Sequence, residues 1–387
     1  MKVQITDTVK YVGVDDTTLD LFESQYVIPE GVSYNSYVIL DEKIAVMDTV
    51  DKRGMQEWEE NLKAVLAERK PDYLVIQHLE PDHAGSIARF VELYPEVTLV
   101  GNAKTFAMLP QFFDFDLEGR TLTVKEGDVL SLGSHELTFV MAPMVHWPEV
   151  MVTYDKTDKI LFAADGFGKF GALSLTADKD WACEARRYYF NIVGKYGAPV
   201  QTLLKKAAGL DIAYICPLHG PVLSENLGYY IDLYNTWSSY QPENEGVLVA
   251  YASIHGNTAK VAEYIGEQLK AKGVAKVVVS DLAREDMAEV IEDAFRYDRM
   301  ILCAASYDGG VFPCMQDFLH HLQSKTYQNR KVALVENGSW APSAGKTMRG
   351  ILDTMKNLEI VEPMVTIRSV MKEADKAALE ALVDKMV

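Results

Sequence analysis

Two rhythms of apolar and polar positions divide the chain near residue 245. Up to about Tyr240, short apolar runs end in polar loops. Tyr73–Ile76, Val97–Val100, Leu137–Val140, Val150–Thr153, Ile160–Ala163 and Ile212–Ile215 read as strands. Helical spacing runs from Met55 to Lys70, from Ala84 to Leu93 and around Thr202 to Leu210, which predicts sheets with helices packed outside them. Residues 239–246 are polar, carry Pro and Gly, and read as a linker. Beyond it the pattern becomes regular. Strands are expected at Val247–Tyr251, Lys276–Ser280, Met300–Ala304, Lys331–Val335 and Ile360–Val365. Helices are expected between and after them, at Asn257–Lys272, Met287–Phe295, Pro313–Ser324, Gly345–Asn357 and Lys372–Val387. Such alternation predicts a doubly wound parallel sheet of order 2-1-3-4-5.

Composition fits this division. At 387 residues, 48% hydrophobic and 24% charged, the chain suits two globular domains, set at 1–244 and 245–387. A net charge of −18 argues against nucleic-acid binding, which needs clustered Lys and Arg on the phosphates. Cys183, Cys216, Cys303 and Cys314 form no CxxC pair, which excludes a zinc ribbon or a built-in rubredoxin-type centre and fits a reducing compartment. The N-terminal segment has alternating charge and no apolar core, so it does not read as a signal peptide. No run approaches the ~18 apolar residues that cross a bilayer. A cytoplasmic protein is expected.

The first half carries a candidate metal site. His78, Glu80, Asp82 and His83 crowd the loop after the strand at Tyr73–Gln77. His146, Asp165 and His219 each follow a further apolar run. Singly, each has an ordinary reading: Asp82-His83 could cap a helix beginning at Ala84, Asp165-Gly166 could be a turn, and His219-Gly220-Pro221 could punctuate a loop. Seven ligand-type residues at successive strand ends point instead to a site on one edge of a layered sheet. Carboxylates with imidazoles suit iron and oxygen chemistry better than thiolate-bearing zinc sites, although ligand type alone leaves zinc open.

The second half carries a candidate phosphate cradle. Ser253, His255, Gly256, Asn257 and Thr258 end its first strand and lead straight into a helix, where backbone N–H groups can converge on a phosphate monoester. At the ends of strands three and four stand Ser306, Tyr307, Asp308, Gly309 and Gly310, then Asn337, Gly338, Ser339 and Trp340. Each loop offers an aromatic beside glycines, suited to a flat isoalloxazine ring. No GxGxxG precedes a helix, so NAD is not indicated here.

The first motif resembles that of the metallo-β-lactamase superfamily, usually HxHxDH, with Glu80 in place of the second His. That form resembles the flavodiiron proteins, and the similarity extends through His146, Asp165 and His219 into the flavodoxin-like half. The resemblance implies an α+β metallo-β-lactamase-like αββα sandwich followed by an α/β flavodoxin-like domain binding FMN. It implies one iron held by His78, Glu80 and His146, another by Asp82, His83 and His219, and Asp165 bridging. Three carboxylates and a hydroxide would balance two ferrous ions. Tyr196 is implied near the irons as a proton donor, while Trp147 could lie between metal and flavin or merely pack. A His sometimes found near Leu21–Glu23 is not evident.

The activity implied is reduction of O2 to water and/or NO to N2O, with two electrons from the irons and two from FMN. The partners implied are an external donor such as rubredoxin and a second copy of the chain, as a head-to-tail homodimer or a dimer of dimers. Two rivals stand beside this reading. One is a lactamase-fold hydrolase with a flavodoxin appendage, which Glu80 argues against. The other is an electron carrier with a degenerate metal domain, which the full set of seven ligands argues against.

Overall fold

The computed structural model describes residues 4–387, which divide into two compact units. The first contains the chain up to Tyr189 together with Ala198–Asn235; the second contains Phe190–Gly197 and Thr236–Val387.

Two large sheets form the core of the first unit. One has the order β1 (Val9–Tyr11), β2 (Tyr37–Ile39), β3 (Ala45–Met47), β4 (Tyr73–Val75), β5 (Thr98–Asn102) and β6 (Thr121–Val124), antiparallel up to β3 and parallel from there on. The other runs β7 (Val129–Ser131), β8 (Glu136–Met141), β9 (Met151–Asp155), β10 (Ile160–Phe162) and β11 (Tyr214–Cys216), antiparallel except for β10 with β11. Alternate residues of both sheets meet in one core. Val9, Tyr11, Tyr37, Ile39, Ala45 and Met47 come from the first, and Leu137, Phe139, Met151, Ile160 and Phe162 from the second. Period-two alternation therefore packs the sheets face to face as a sandwich. Helix α1 (Met55–Leu66) lies on it through buried Trp58, Leu62 and Leu66, spaced four apart on one stripe.

Several expected boundaries move. The helix expected from Ala84 begins at Pro81 and breaks in two, as α2 (Pro81–Ala84) and α3 (Ile87–Leu93). Proline's fixed φ suits the first helical position, so Asp82 and His83 lie inside the first turn and do not cap from outside. The next helix expected, around 202–210, is α5 (Gly197–Ala207), which follows α4 (Trp181–Tyr188). After them comes α6 (Leu227–Ser238). The segment read as a linker is partly structured. Strand β12 (Asn244–Ala252) starts within it, and the Glu243 N–H donates to the Arg296 carbonyl at 2.9 Å.

The second unit has β13 (Val277–Asp281), β12, β14 (Tyr297–Tyr307), β15 (Gln328–Asn337) and β16 (Lys356–Ile367) side by side and parallel, the order 2-1-3-4-5. Helices α7 (Asn257–Ala271), α8 (Met287–Arg296), α9 (Pro313–Ser324), α10 (Ala344–Leu352) and α11 (Glu373–Asp384) alternate with the strands. Val247, Val249, Ile301, Cys303, Ala333 and Val335 pack on one face with α7 and α11, while Leu248, Ala250, Met300, Leu302 and Val332 are buried on the other. Burial on both faces explains the unbroken apolar runs of these strands. Helix α10 ends at Leu352, short of the expected Asn357, because β16 already begins at Lys356. Among the described residues no helix is long and apolar enough to cross a membrane.

Candidate metal centre and phosphate-binding pocket

In the first unit, the seven ligand-type residues meet. His78 and Glu80 leave the end of β4 and α2 carries Asp82 and His83; His146 follows β8, Asp165 follows β10, and His219 follows β11. Strand ends from both sheets thus supply one site. Residues beside it adopt left-handed backbone without being glycine: Met144 (φ 64°), Ala164 (φ 49°) and Phe167 (φ 65°). Such local strain is sustained only where the surrounding packing over-determines it.

The donors form two groups that share one carboxylate. His78 Nε2 lies 3.2 Å from Glu80 Oε2 and 3.2 Å from Asp165 Oδ2. His146 Nε2 lies 3.0 Å from Glu80 Oε2 and 3.2 Å from Asp165 Oδ2. Across the site, His83 Nε2 lies 3.3 Å from Asp82 Oδ2 and 3.1 Å from Asp165 Oδ1. His219 Nε2 lies 3.2 Å from Asp82 Oδ2 and 3.7 Å from Asp165 Oδ1. One oxygen of Asp165 therefore faces each group. Donors bound at ~2.0–2.2 Å to a common ion stand about 3.0–3.5 Å apart, the spacing of every pair here but His219 with Asp165.

Tautomers sharpen the case for cations. His219 Nδ1 stands 2.7 Å from the Ser33 carbonyl, which can only accept, so the proton is there and Nε2 turns a lone pair toward Asp82 and Asp165. His78 Nδ1 is 2.9 Å from Glu149 Oε1, which also takes the Leu79 N–H at 2.9 Å, so this imidazole is oriented the same way. Lone pairs facing carboxylates repel unless a positive charge lies between them. Without hydrogen-bond partners are the Asp82 and Asp165 carboxylate oxygens and Nε2 of His83, His146 and His219, all buried. Orphaned polar atoms concentrated in one place, all of ligand type, fit a pair of bound metal ions.

Electrostatics point the same way. Burial opposes a charged His78, yet Asp165, Glu149 and Glu80 hold its pKa well above the usual imidazole value. Burial likewise opposes a charged His146, but Asp165 and Glu80 raise its pKa to about 9. The Asp165 carboxyl is held well below the carboxylate range despite burial, by His83, His78 and His146. A protonated imidazole occupies the place a metal ion would take, and the carboxylates stabilise either one.

The supports were not among the residues the sequence singled out. Asp48, just after β3, takes the Gln77 N–H at 2.7 Å, the Gln77 amide at 2.8 Å and the His78 N–H at 3.3 Å. Its pKa is raised to about 6 by burial, against those hydrogen bonds. Glu149 is fully buried behind His78. Tyr196 lies in Gly194–Tyr196, a segment that packs with the second unit, with the Lys195 ammonium 5.9 Å from its ring. Tyr188 and Tyr34 both pack on a cluster imidazole, their ring centroids 5.4 and 6.0 Å from that of His219. Burial, then Asp165, Asp82 and Glu80, raise the Tyr188 phenol pKa well above the ordinary value, so the O–H stays protonated. Trp147 packs edge-on to His78 at 5.3 Å and stacks on Phe112. At the tip of the small hairpin of Leu21–Phe22 and Tyr26–Val27 stands Glu23, whose pKa is pushed up to about 7 by desolvation and by Glu80.

In the second unit, loops at the carboxyl ends of β12, β14 and β15 enclose a cavity of about 550 Å3. Its walls include Ser253, His255, Asn257 and Thr258, then Ser306, Tyr307, Asp308 and Gly309, and finally Asn337, Gly338, Ser339 and Trp340. Gly256 and Gly310 lie in the same loops but are not wall residues. Gly256, at φ 85°, turns the chain into α7, and its N–H bonds to Ser253 Oγ at 3.1 Å, which shapes the cradle beforehand. Ser343 and Ser369 are additions. The Ser306 hydroxyl takes the Ser343 and Ala344 N–H groups at 2.8 and 3.1 Å, fastening its loop to the start of α10. Asn337 and Ser369 exchange two hydrogen bonds of 2.9 Å. Tyr307 is 45% exposed and Trp340 89% exposed, so two aromatic faces stand ready to be covered by a flat ring. A helix N-terminus beside aromatic walls, with no lysine among them, fits a flavin mononucleotide.

Comparison with known proteins supports the two domain types that carry these sites. Residues 32–220 match the model of the ODP family beta lactamase, and residues 248–374 match that of a flavodoxin domain. A protein named nitric oxide reductase from Moorella thermoacetica is 29% identical, over 96% of this chain and 95% of its own. The flavodiiron protein of Giardia intestinalis superposes with a TM-score of 0.92 at 25% identity, covering 99% of this chain and 95% of that one. Rubredoxin oxygen:oxidoreductase from Desulfovibrio gigas shares the fold, with a TM-score of 0.92 at 24% identity over 99% of this chain and 97% of that one.

Proposed function

We propose that this chain, built on the flavodiiron plan along almost its whole length, is an oxidoreductase that reduces O2 to water and/or NO to N2O. The observation that carries the reading is Asp165, whose two carboxylate oxygens each close one of two His–carboxylate donor groups. His78, Glu80 and His146 would hold one iron, Asp82, His83 and His219 the other, and Asp165 would join them. FMN would seat its phosphate at the start of α7, its ring between Tyr307 and Trp340. Bound iron and flavin would together supply the electrons that the gas accepts.

The chain's own residues do the rest. The His78 and His219 imidazoles, held through Nδ1 by Glu149 and the Ser33 carbonyl, keep Nε2 turned into the site and need little reorganisation when a metal enters. The Glu80 and Asp82 side chains remain 16% and 12% exposed while the histidines are almost wholly buried, so the site opens to small molecules on the carboxylate side. Tyr188, whose phenol stays protonated and whose ring packs against His219, stands beside Tyr196 as a candidate to supply a proton near the irons. The four cysteines form no CxxC pair in the sequence, and a rubredoxin-type external donor is expected. A cytoplasmic homodimer is the accompanying expectation.

The test is anaerobic reduction of the iron- and flavin-loaded protein, then rapid mixing with O2 and separately with NO. Flavin and iron should reoxidise within one turnover with at least one gas. Two zinc and no iron per chain, with flavin that neither gas reoxidises, would refute the proposal.

A further inference from the structure

We propose that the first unit contains a binding site for an uncharged apolar diatomic gas, in a cavity directly behind the metal-ligand loops. The inference rests on the gas-reducing reading above and names where the gas is held before it reacts. The cavity measures about 90 Å3 and lies between the second sheet and helices α5 and α6. Its inner wall includes Val145, the chain neighbour of His146, and Ala163 and Gly166, which flank Ala164 and Asp165. Its outer wall includes Leu204, Ala207 and Ala208 on and just after α5.

Burial along that wall gives the cavity a direction. Val145 and Ala163 are 1% and 2% exposed, Leu204 and Ala207 are half-buried, and Ala208 is exposed. The lining therefore leads from the surface inward to the peptides that carry two of the ligands. None of the wall side chains is charged. The phenol of Tyr234 is the polar group, and its oxygen already accepts the Phe167 N–H at 2.6 Å. Water entering such a space would find almost no partners, whereas an uncharged gas gives up no hydrogen bonds on entry. The volume is several times that of one water-sized probe and smaller than the ~150 Å3 apolar cavity known to bind xenon and benzene. Size and polarity thus select small apolar gases over water, ions and organic substrates.

Xenon reads the cavity without any chemistry. Crystals of the iron- and flavin-loaded protein under xenon pressure should show an atom between Val145 and Leu204; an empty cavity would overturn the proposal. Ala207→Phe, which fills the outer half, should abolish xenon binding and raise KM for the gas several-fold, with kcat and iron content unchanged. Val200→Phe, on the same wall, should do the same, so the conclusion does not hang on the folding of one variant. Loss of xenon with an unaltered KM would also overturn the proposal. A parent protein that binds xenon there but reduces neither O2 nor NO would uphold the cavity and sink the functional reading instead.

Discussion

Glu149 offers a perturbation whose two effects can be separated by magnitude. Its side chain is fully buried, and one oxygen takes both the His78 Nδ1–H and the Leu79 N–H at 2.9 Å. Glu149→Ala strands both donors inside the protein. Each unsatisfied buried donor costs ~1–3 kcal/mol, so the fold should lose about 2–6 kcal/mol. That is a large share of the ~5–15 kcal/mol by which domains are usually stable. Glu149→Gln keeps an acceptor oxygen for both donors, so its iron-free form should lose clearly less stability than the Ala variant does. Iron affinity should still fall, because losing the carboxylate behind a metal-bound imidazole typically weakens binding ~10–100-fold. In free energy that is about 1.4–2.7 kcal/mol. Chelator competition on the Gln variant, alongside melting of its iron-free form, measures the two effects independently. Parental iron affinity in both variants would show that His78 is oriented by something else, and the argument from its tautomer would fail.

Glu80→Ala and Asp165→Ala should each lower gas reduction by more than ~100-fold while leaving flavin absorbance intact, since the flavin pocket lies in the other unit; full activity in either would remove that residue from the centre. Thr258→Val, at a buried position in the first turn of α7, should weaken FMN retention about fivefold, the loss of one hydrogen bond of ~1 kcal/mol, as read by flavin release on dilution. The iron-free protein should be least stable at high pH. His146 has a folded pKa near 9 against an ordinary 6.5, so its contribution is complete below about 6.5 and lost as pH rises through 9. Melting temperatures at pH 6 and 9, with and without iron, check this, and a flat profile in the iron-free form would contradict it.

The second unit was almost fully legible in the sequence. Its strands are buried on both faces, so each reads as an unbroken apolar run, and helices with one buried stripe separate them. The first unit was only partly so. β1, β2 and β3 span three residues each, too few for period-two alternation to stand out. The break between α2 and α3 at Gly85-Ser86 was equally hidden. A side chain at Gly85 would meet the Pro81 carbonyl at 2.5 Å and the nitrogen of Lys52, remote in sequence, at 2.8 Å.

The candidate ligands could be picked out because a layered sheet places chemistry where strands end, and each candidate segment follows an apolar run. The same rule, applied to Ile44–Met47, would have reached Asp48. It could not have reached Glu149, which precedes its strand and reaches His78 only because β9 runs antiparallel to β8. The tyrosine shows a different limit. Tyr188, Tyr189 and Tyr196 are equivalent candidates by composition, and what separates them is which way each residue faces. α4 carries Tyr188 against His219, then the chain widens into a π turn over Tyr189–Val193 and crosses to the second unit. A change of helical pitch rotates every later side chain relative to the earlier ones, so a spacing counted in residues no longer reports direction. The order of residue types is written in the sequence; the facing of a tyrosine beyond such a turn is decided by packing.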